Sequence, residues 1–281
     1  MYKNYQIGAY EKAFPNKTSI YDMLSLSRKF NYDFFEISID RTEQRISRLY
    51  EKKFWEECID ASRNSGIPIG SMCLSALSTY TMGNADVGIS NRAMDILEKA
   101  IVFSCELGIR VIQIPGCDMP KNEQHTQVSK ELYIKNLKCA TEMASSYGIC
   151  LAIENMEDGF MDTVQKTMEY IKLINSPYLQ LYPDSGNITS ANKIYNTDIN
   201  DDMGHGIGHY IALHLKETKP NKYGGLFYGD GHVDFQLMVR NAWRLGVRRF
   251  VMEYWYTGND LWKEDLMKAS EMCRRWISNA V

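Results

Sequence analysis

The sequence predicts an α/β chain folded as a closed (β/α)8 TIM barrel, and three observations carry that reading. Short apolar runs alternate with longer helical patterns from one end of the 281 residues to the other. The runs number eight, and none shows strict polar alternation, as expected of parallel strands buried on both faces. No Ser/Gly-rich linker interrupts the series, so residues 1–281 read as a single domain. Eight strand–helix units in this length point to a closed barrel rather than an open doubly wound sheet. The open sheet would usually carry a glycine-rich phosphate turn after its first strand, where this chain has AYEKAF.

In chain order the predicted strands are YQIGAY (5–10), DFFEISI (33–39), IPIGSMCLS (67–75) and RVIQIPG (110–116). They continue with ICLAIEN (149–155), YLQLYPD (178–184), YIALHLK (210–216) and RRFVMEYW (248–255). Between them the apolar period lengthens to that of a helix, as in Ala93, Ile96, Leu97, Ala100 and Ile101, or Phe235, Met238, Val239 and Ala242. Gly66, Gly108, Gly148 and Gly246 follow such patterns where a helix C-cap needs the left-handed conformation, and Asn31 takes that place after the first helix.

Composition narrows the function classes. An apolar fraction of 44% suits a globular chain, and a net charge of −3 without a basic stripe argues against nucleic acid as a partner. The seven cysteines show no CxxC spacing and are odd in number, which fits a reducing, cytoplasmic setting. No signal peptide precedes the first strand, and no apolar run reaches the roughly 20 residues of a membrane helix.

The last four predicted strands end in LAIE, LYPD, ALH and FVME, presenting Glu154, Asp184, His214 and Glu253. These residues are 30, 30 and 39 positions apart, about one strand–helix unit each. A barrel brings such ends together on its C-terminal rim, where barrel enzymes keep their chemistry. Three carboxylates and an imidazole suit one divalent ion, Mn²⁺, Zn²⁺, Co²⁺ or Mg²⁺, and without a cation the carboxylates would repel one another. Cys73 and Cys117 are expected on the opposite half of the rim.

The segments IGAYEKAFP, FFEISID, SMCLSA, GIRVIQIPG, LAIENMED, QLYPDSGN, GIGHYIALHLKETKP, FYGDGHVDF and FVMEYW span all eight units. On these motifs the chain resembles the xylose-isomerase-like barrels. Within them it is similar to the L-ribulose-5-phosphate (L-xylulose-5-phosphate) 3-epimerases, also described as hexulose-6-phosphate isomerases. The resemblance implies that Glu154, Asp184, His214 and Glu253 are metal ligands and that Glu154 and Glu253 double as acid/base catalysts. It also implies a phosphorylated substrate. Several epimerases of unphosphorylated ketoses have a His where this chain has Asn187, and an Arg after the metal His where it offers Lys216, Lys219 and Lys222.

Epimerisation beside a ketone takes a proton from carbon 3 and returns it on the other face, so two carboxylates serve better than one. Glu11, Glu36, Ser75, Asn155 and Asn187 are candidates for binding sugar hydroxyls, and Lys216, Lys219 and Lys222 for a phosphate. Trp255 and Phe227 are candidates to cover the sugar. The expected partner is a small sugar phosphate, with no membrane, and a homodimer is an allowed assembly. The alternatives are aldose–ketose isomerisation, 3-epimerisation of an unphosphorylated ketose, and metal-dependent sugar sensing. A trinuclear DNA-repair nuclease would need further histidines on the earlier strands, which end in Glu36 and in Cys73 and Ser75.

Overall fold

The computed structural model describes residues 4–280, and the eight expected strands are all found there. They are β1 (Gln6–Tyr10), β2 (Phe34–Ser38), β3 (Ile69–Cys73), β4 (Val111–Pro115), β5 (Cys150–Glu154), β6 (Leu179–Leu181), β7 (Leu213–Leu215) and β8 (Arg249–Met252). Each is shorter than the apolar run that announced it. β6 and β7 shrink to three residues each, and Pro183 beyond β6 has no amide with which to extend the ladder.

A helix follows every strand: α1 (Ile20–Lys29), α2 (Lys52–Ser65), α3 (Val87–Leu107), α4 (Gln127–Ser146), α5 (Val164–Ile174), α6 (Ser185–Tyr195), α7 (Phe235–Arg244) and α8 (Trp262–Ser278). All strand pairs are parallel, in the order β6-β5-β4-β3-β2-β1-β8-β7. Parallel bridges Leu181–Tyr210 and Asp184–His214 join β6 to the segment of β7 and close the ring. Gly66, Gly108 and Asn31 all take positive φ at helix ends, and Asn175 and Asn196 do the same after α5 and α6, which the sequence reading did not foresee. No helix among the described residues is long and apolar enough to cross a membrane.

Side chains alternate along a strand, so one residue parity of each strand faces the barrel axis. Tyr10, Phe34, Cys73, Val111, Ala152, Tyr182, Ala212 and Val251, one from each strand or its immediate end, form a single buried cluster there. Two residues further toward the C-terminal rim on four of these strands stand Glu36, Gln113, Glu154 and His214, and Asp184 and Glu253 do so after β6 and β8. These inward positions are polar and buried. The apolar layer is therefore the floor on which a polar layer rests.

The packing of α6 against the end of β7 depends on one small residue. A Cβ on Gly186 would lie 2.5 Å from Thr218 Cγ2 and 2.9 Å from the Lys216 carbonyl oxygen. The backbone oxygen cannot rotate away. Gly186→Ala is expected to cost about 1–3 kcal/mol, as overpacking does, and to lower the midpoint of thermal or urea unfolding. An unchanged midpoint would show that the approach of α6 to β7 tolerates a methyl group.

Candidate active site

Four side chains meet at the C-terminal end of the barrel. One ligand atom from each of Glu154, Asp184, His214 and Glu253 lies within 4.8 Å of all the others, and all four residues are buried. Glu154 ends β5, Asp184 is the N-cap of α6, His214 lies within β7, and Glu253 directly follows β8. The Nδ1 of His214 is 2.7 Å from Glu253 Oε2 and 3.9 Å from Glu154 Oε1. Lys216 adds an ammonium 3.2 Å from Asp184 Oδ1 and 3.9 Å from Glu154 Oε1.

The donor set fits a cation. Asp184 Oδ2 is buried without a hydrogen-bond partner. Buried oxygens in that condition are costly unless a cation satisfies them. Oxygen and imidazole donors suit a hard or borderline divalent ion, and Glu154, Asp184, His214 and Glu253 are the residues that would hold it.

Electrostatics divides the carboxylates. Burial pushes Glu154 up to about 8, with the Glu253 charge adding to it and Lys216 and His214 opposing. Burial likewise raises Asp184 to about 6, against the Lys216 ammonium. For Glu253, burial acts upward too, but the charges of Lys216 and His214 prevail and hold it below the ordinary carboxylate range. Burial alone would discharge Lys216, yet Asp184, Glu253 and Glu154 keep it charged.

A hydrogen-bonded frame fixes the ends of β5 and β6. Asn155 accepts from the Asp184 amide at 2.8 Å through Oδ1 and donates through Nδ2 to the Asp162 carbonyl at 3.0 Å. Asn187 donates its side-chain amide to the Asn155 carbonyl at 2.8 Å, and its backbone amide donates to Asp184 Oδ1 at 2.7 Å. Both asparagines thus hold the backbone that carries Asp184, and neither lines the cavity expected to take a sugar.

That cavity, of about 480 Å³, has buried Tyr10, Cys73, Glu154, Lys216 and Glu253 among its lining and opens past Lys12, Arg41, Ser75 and Trp255. Ser75 and Trp255, both anticipated, lie on it. Other expected contacts lie elsewhere. Glu11 has its oxygens taken by Arg45 Nη1 at 2.8 Å, Arg48 Nη1 at 2.6 Å and the Ser38 amide at 2.7 Å. Glu36 is fully buried beneath the four-residue cluster, bonded to His214, Tyr182 and Ser71. The structure also separates the three lysines: Lys216 joins the carboxylates, whereas Lys219 and Lys222 are exposed and pair backbone to backbone. Phe227 packs on Tyr228 and Tyr254 rather than on the cavity. Cys73, expected on the far half of the rim, shares the cavity with Glu154, and burial pushes its thiol up to about 12.

Lys12 is one of the cavity residues not anticipated from the sequence. It follows β1 by two positions on the same rim as the other strand ends, a placement the sequence does contain. Its ammonium is 3.5 Å from Asp40 Oδ2, 3.5 Å from Ser75 Oγ and 5.7 Å from the centre of the Trp255 ring.

With this geometry in place, comparison with known proteins decides the family. Residues 24–275 match the family model described as xylose isomerase-like TIM barrel. L-ribulose-5-phosphate 3-epimerase UlaE of Escherichia coli (strain SMS-3-5 / SECEC) is 35% identical over 235 residues, covering 83% of this chain and 81% of its own. The UlaE of Shigella boydii serotype 18 is 31% identical over 280 residues, covering 99% and 97%. The chain belongs to the L-ribulose-5-phosphate 3-epimerase family of xylose isomerase-like TIM barrels. It is an enzyme of the isomerase class. D-psicose 3-epimerase from Clostridium cellulolyticum H10, solved with D-tagatose, shares the fold with a TM-score of 0.79 at 13% identity, over 97% of this chain and 99% of its own.

The asparagine frame gives a direct test. Asn155→Ala removes the acceptor of the buried Asp184 amide and is expected to cost about 1–3 kcal/mol, the usual cost of an unsatisfied buried donor. Denaturant unfolding measures it. A loss within experimental error would mean that the frame is redundant.

Proposed function

We propose that this chain is a metal-dependent 3-epimerase of a phosphorylated ketopentose of the L-ribulose 5-phosphate and L-xylulose 5-phosphate type, acting in the cytoplasm. The single observation that carries the reading is that Glu154 and Glu253 share both the four-residue cluster and the lining of one cavity. The sugar and its phosphate come from the names of the 31–35% identical relatives. A divalent ion (Mn²⁺, Zn²⁺, Co²⁺ or Mg²⁺) held by Glu154, Asp184, His214 and Glu253 would supply Lewis acidity toward the ketone and its neighbouring hydroxyl.

The chain's own residues divide the proton work. One glutamate breaks the carbon 3–hydrogen bond and keeps the proton, leaving an enediolate. The other glutamate, on the opposite face, delivers its proton to carbon 3 and inverts it. The reverse reaction exchanges the two roles. Lys216, buried beside Asp184 and Glu154, offsets part of the carboxylate charge and donates to a substrate oxygen where negative charge develops. Trp255 excludes water from the mouth of the cavity.

Replacing one glutamate at a time tests the two-base scheme. Glu154→Gln and Glu253→Gln are each expected to lower turnover by about 10²–10⁴-fold, the usual worth of a general base. Each variant keeps one carboxylate, so in D₂O it exchanges the carbon 3 proton of one epimer without inverting it. NMR should find the two variants labelling different epimers. Labelling of the same epimer by both would sink the scheme, and deuterium at carbon 1 would point to aldose–ketose isomerisation.

Lys12 and Ser75 offer the phosphate a seat at the mouth of the same cavity, with Arg41 on its rim. Lys12→Ala should raise KM for the phosphorylated sugar at least several-fold more than for the free sugar. Steady-state kinetics on both substrates checks this, and an equal rise for the two would place the phosphate elsewhere.

A further inference from the structure

Glu36 is an unusual group to find at the centre of a barrel. Its carboxylate is fully buried, and among the described residues it forms no ion pair with a lysine or arginine. A buried carboxylate without compensation is strongly unfavourable. Its partners are His214 Nε2, 2.6 Å from Oε1, and the hydroxyls of Ser71 and Tyr182, each 2.6 Å from Oε2. All three partners are themselves buried. Ser71 stands on β3, Tyr182 just beyond β6 and His214 on β7, so Glu36 ties four strands of the ring together.

The chemistry of these bonds has a direction. An ionised carboxylate only accepts, so the hydrogen between Glu36 and His214 resides on Nε2. That turns Nδ1 toward the cluster, where it faces Glu253 at 2.7 Å and Glu154 at 3.9 Å. The side-chain amide nitrogen of Gln113 lies 3.2 Å from the same Nδ1. The ring is thus held from behind by an anion and presents Nδ1 to the cluster. A carboxylate behind an imidazole ligand fixes its tautomer and raises its basicity.

We propose that Glu36 is a positioning residue that sets the ion-binding strength of the cluster through His214, with Tyr182 and Ser71 holding the carboxylate in line. This rests on reading Glu154, Asp184, His214 and Glu253 as a cation site. Its negative charge is delivered to the ion through the imidazole, which is why a carboxylate occupies a layer where an amide would fill the same space.

The test is Co²⁺ binding to the metal-stripped full chain, followed by calorimetry and by the visible absorption of the bound ion. Wild-type protein, Glu36→Gln and Tyr182→Phe are compared, with circular dichroism reporting the fold. Gln keeps the volume and an acceptor oxygen but removes the charge. Folded Glu36→Gln should bind Co²⁺ about 10–100-fold more weakly, the usual effect of losing such an outer partner, with an altered absorption spectrum. An affinity and spectrum equal to wild type in that folded variant would overturn the proposal. If Glu36→Gln does not fold, Tyr182→Phe decides, since it removes one of the two hydroxyls that hold Glu36 Oε2 while leaving the charge. It should weaken Co²⁺ binding in the same direction by a smaller factor, and unchanged binding would again overturn the proposal. Failure of the wild-type protein to bind Co²⁺ would instead remove the cation-site reading itself.

Discussion

The crowding of three carboxylates into one buried space is the constraint on which the rest of this structure depends. Glu154, Asp184 and Glu253 all stand on inward positions above a closed apolar floor, where water cannot screen them. Like charges at this range are unfavourable in a low dielectric, so the surrounding elements are organised to supply positive charge and hydrogen-bond donors. Lys216 comes from the end of β7, His214 from within it, and the amide of Asn187 from the first turn of α6. Much of the local architecture is a response to that repulsion.

The response also explains residues whose chemistry looked functional but whose contacts are supportive. Asn155 and Asn187 spend their hydrogen bonds on the backbone around Asp184, so that the carboxylate is aimed without a sugar. Glu11 gathers Arg45 and Arg48 and the Ser38 amide into a clamp between the β1 and β2 ends. Gly186 lets α6 approach β7 closely enough for Asp184 and Lys216 to meet. The close contacts that carry reactivity are few, and each is held by several that do not.

Much of this was legible before any coordinates. The period of the apolar runs and their number disclosed the barrel, because strand and helix periods differ in any sequence that must bury one face. The strand-end residues Glu154, Asp184, His214 and Glu253 stood out because a carboxylate or imidazole closing an apolar run is expensive without a reason. Lys12 did not stand out, since a lysine in a loop after the first strand has the look of an ordinary solvated side chain. Lys219 and Lys222 follow the β7 histidine in sequence and so were candidates for a phosphate, yet the structure leaves them exposed.

The sequence by itself determined the order and type of the elements and which side chains lie at the C-terminal strand ends. Those are local matters, set by backbone period and by the alternation of side chains along a strand. Only the tertiary structure decided which of the end residues converge. Closure of the ring brings β2 behind β7, so that Glu36 meets His214 across 178 residues of chain. It also brings β1 and β3 onto the same cavity as β5 and β8, putting Lys12, Cys73 and Ser75 beside Glu154 and Glu253. Neither contact follows from spacing along the chain, because the radius and closure of a barrel are properties of all eight strands together.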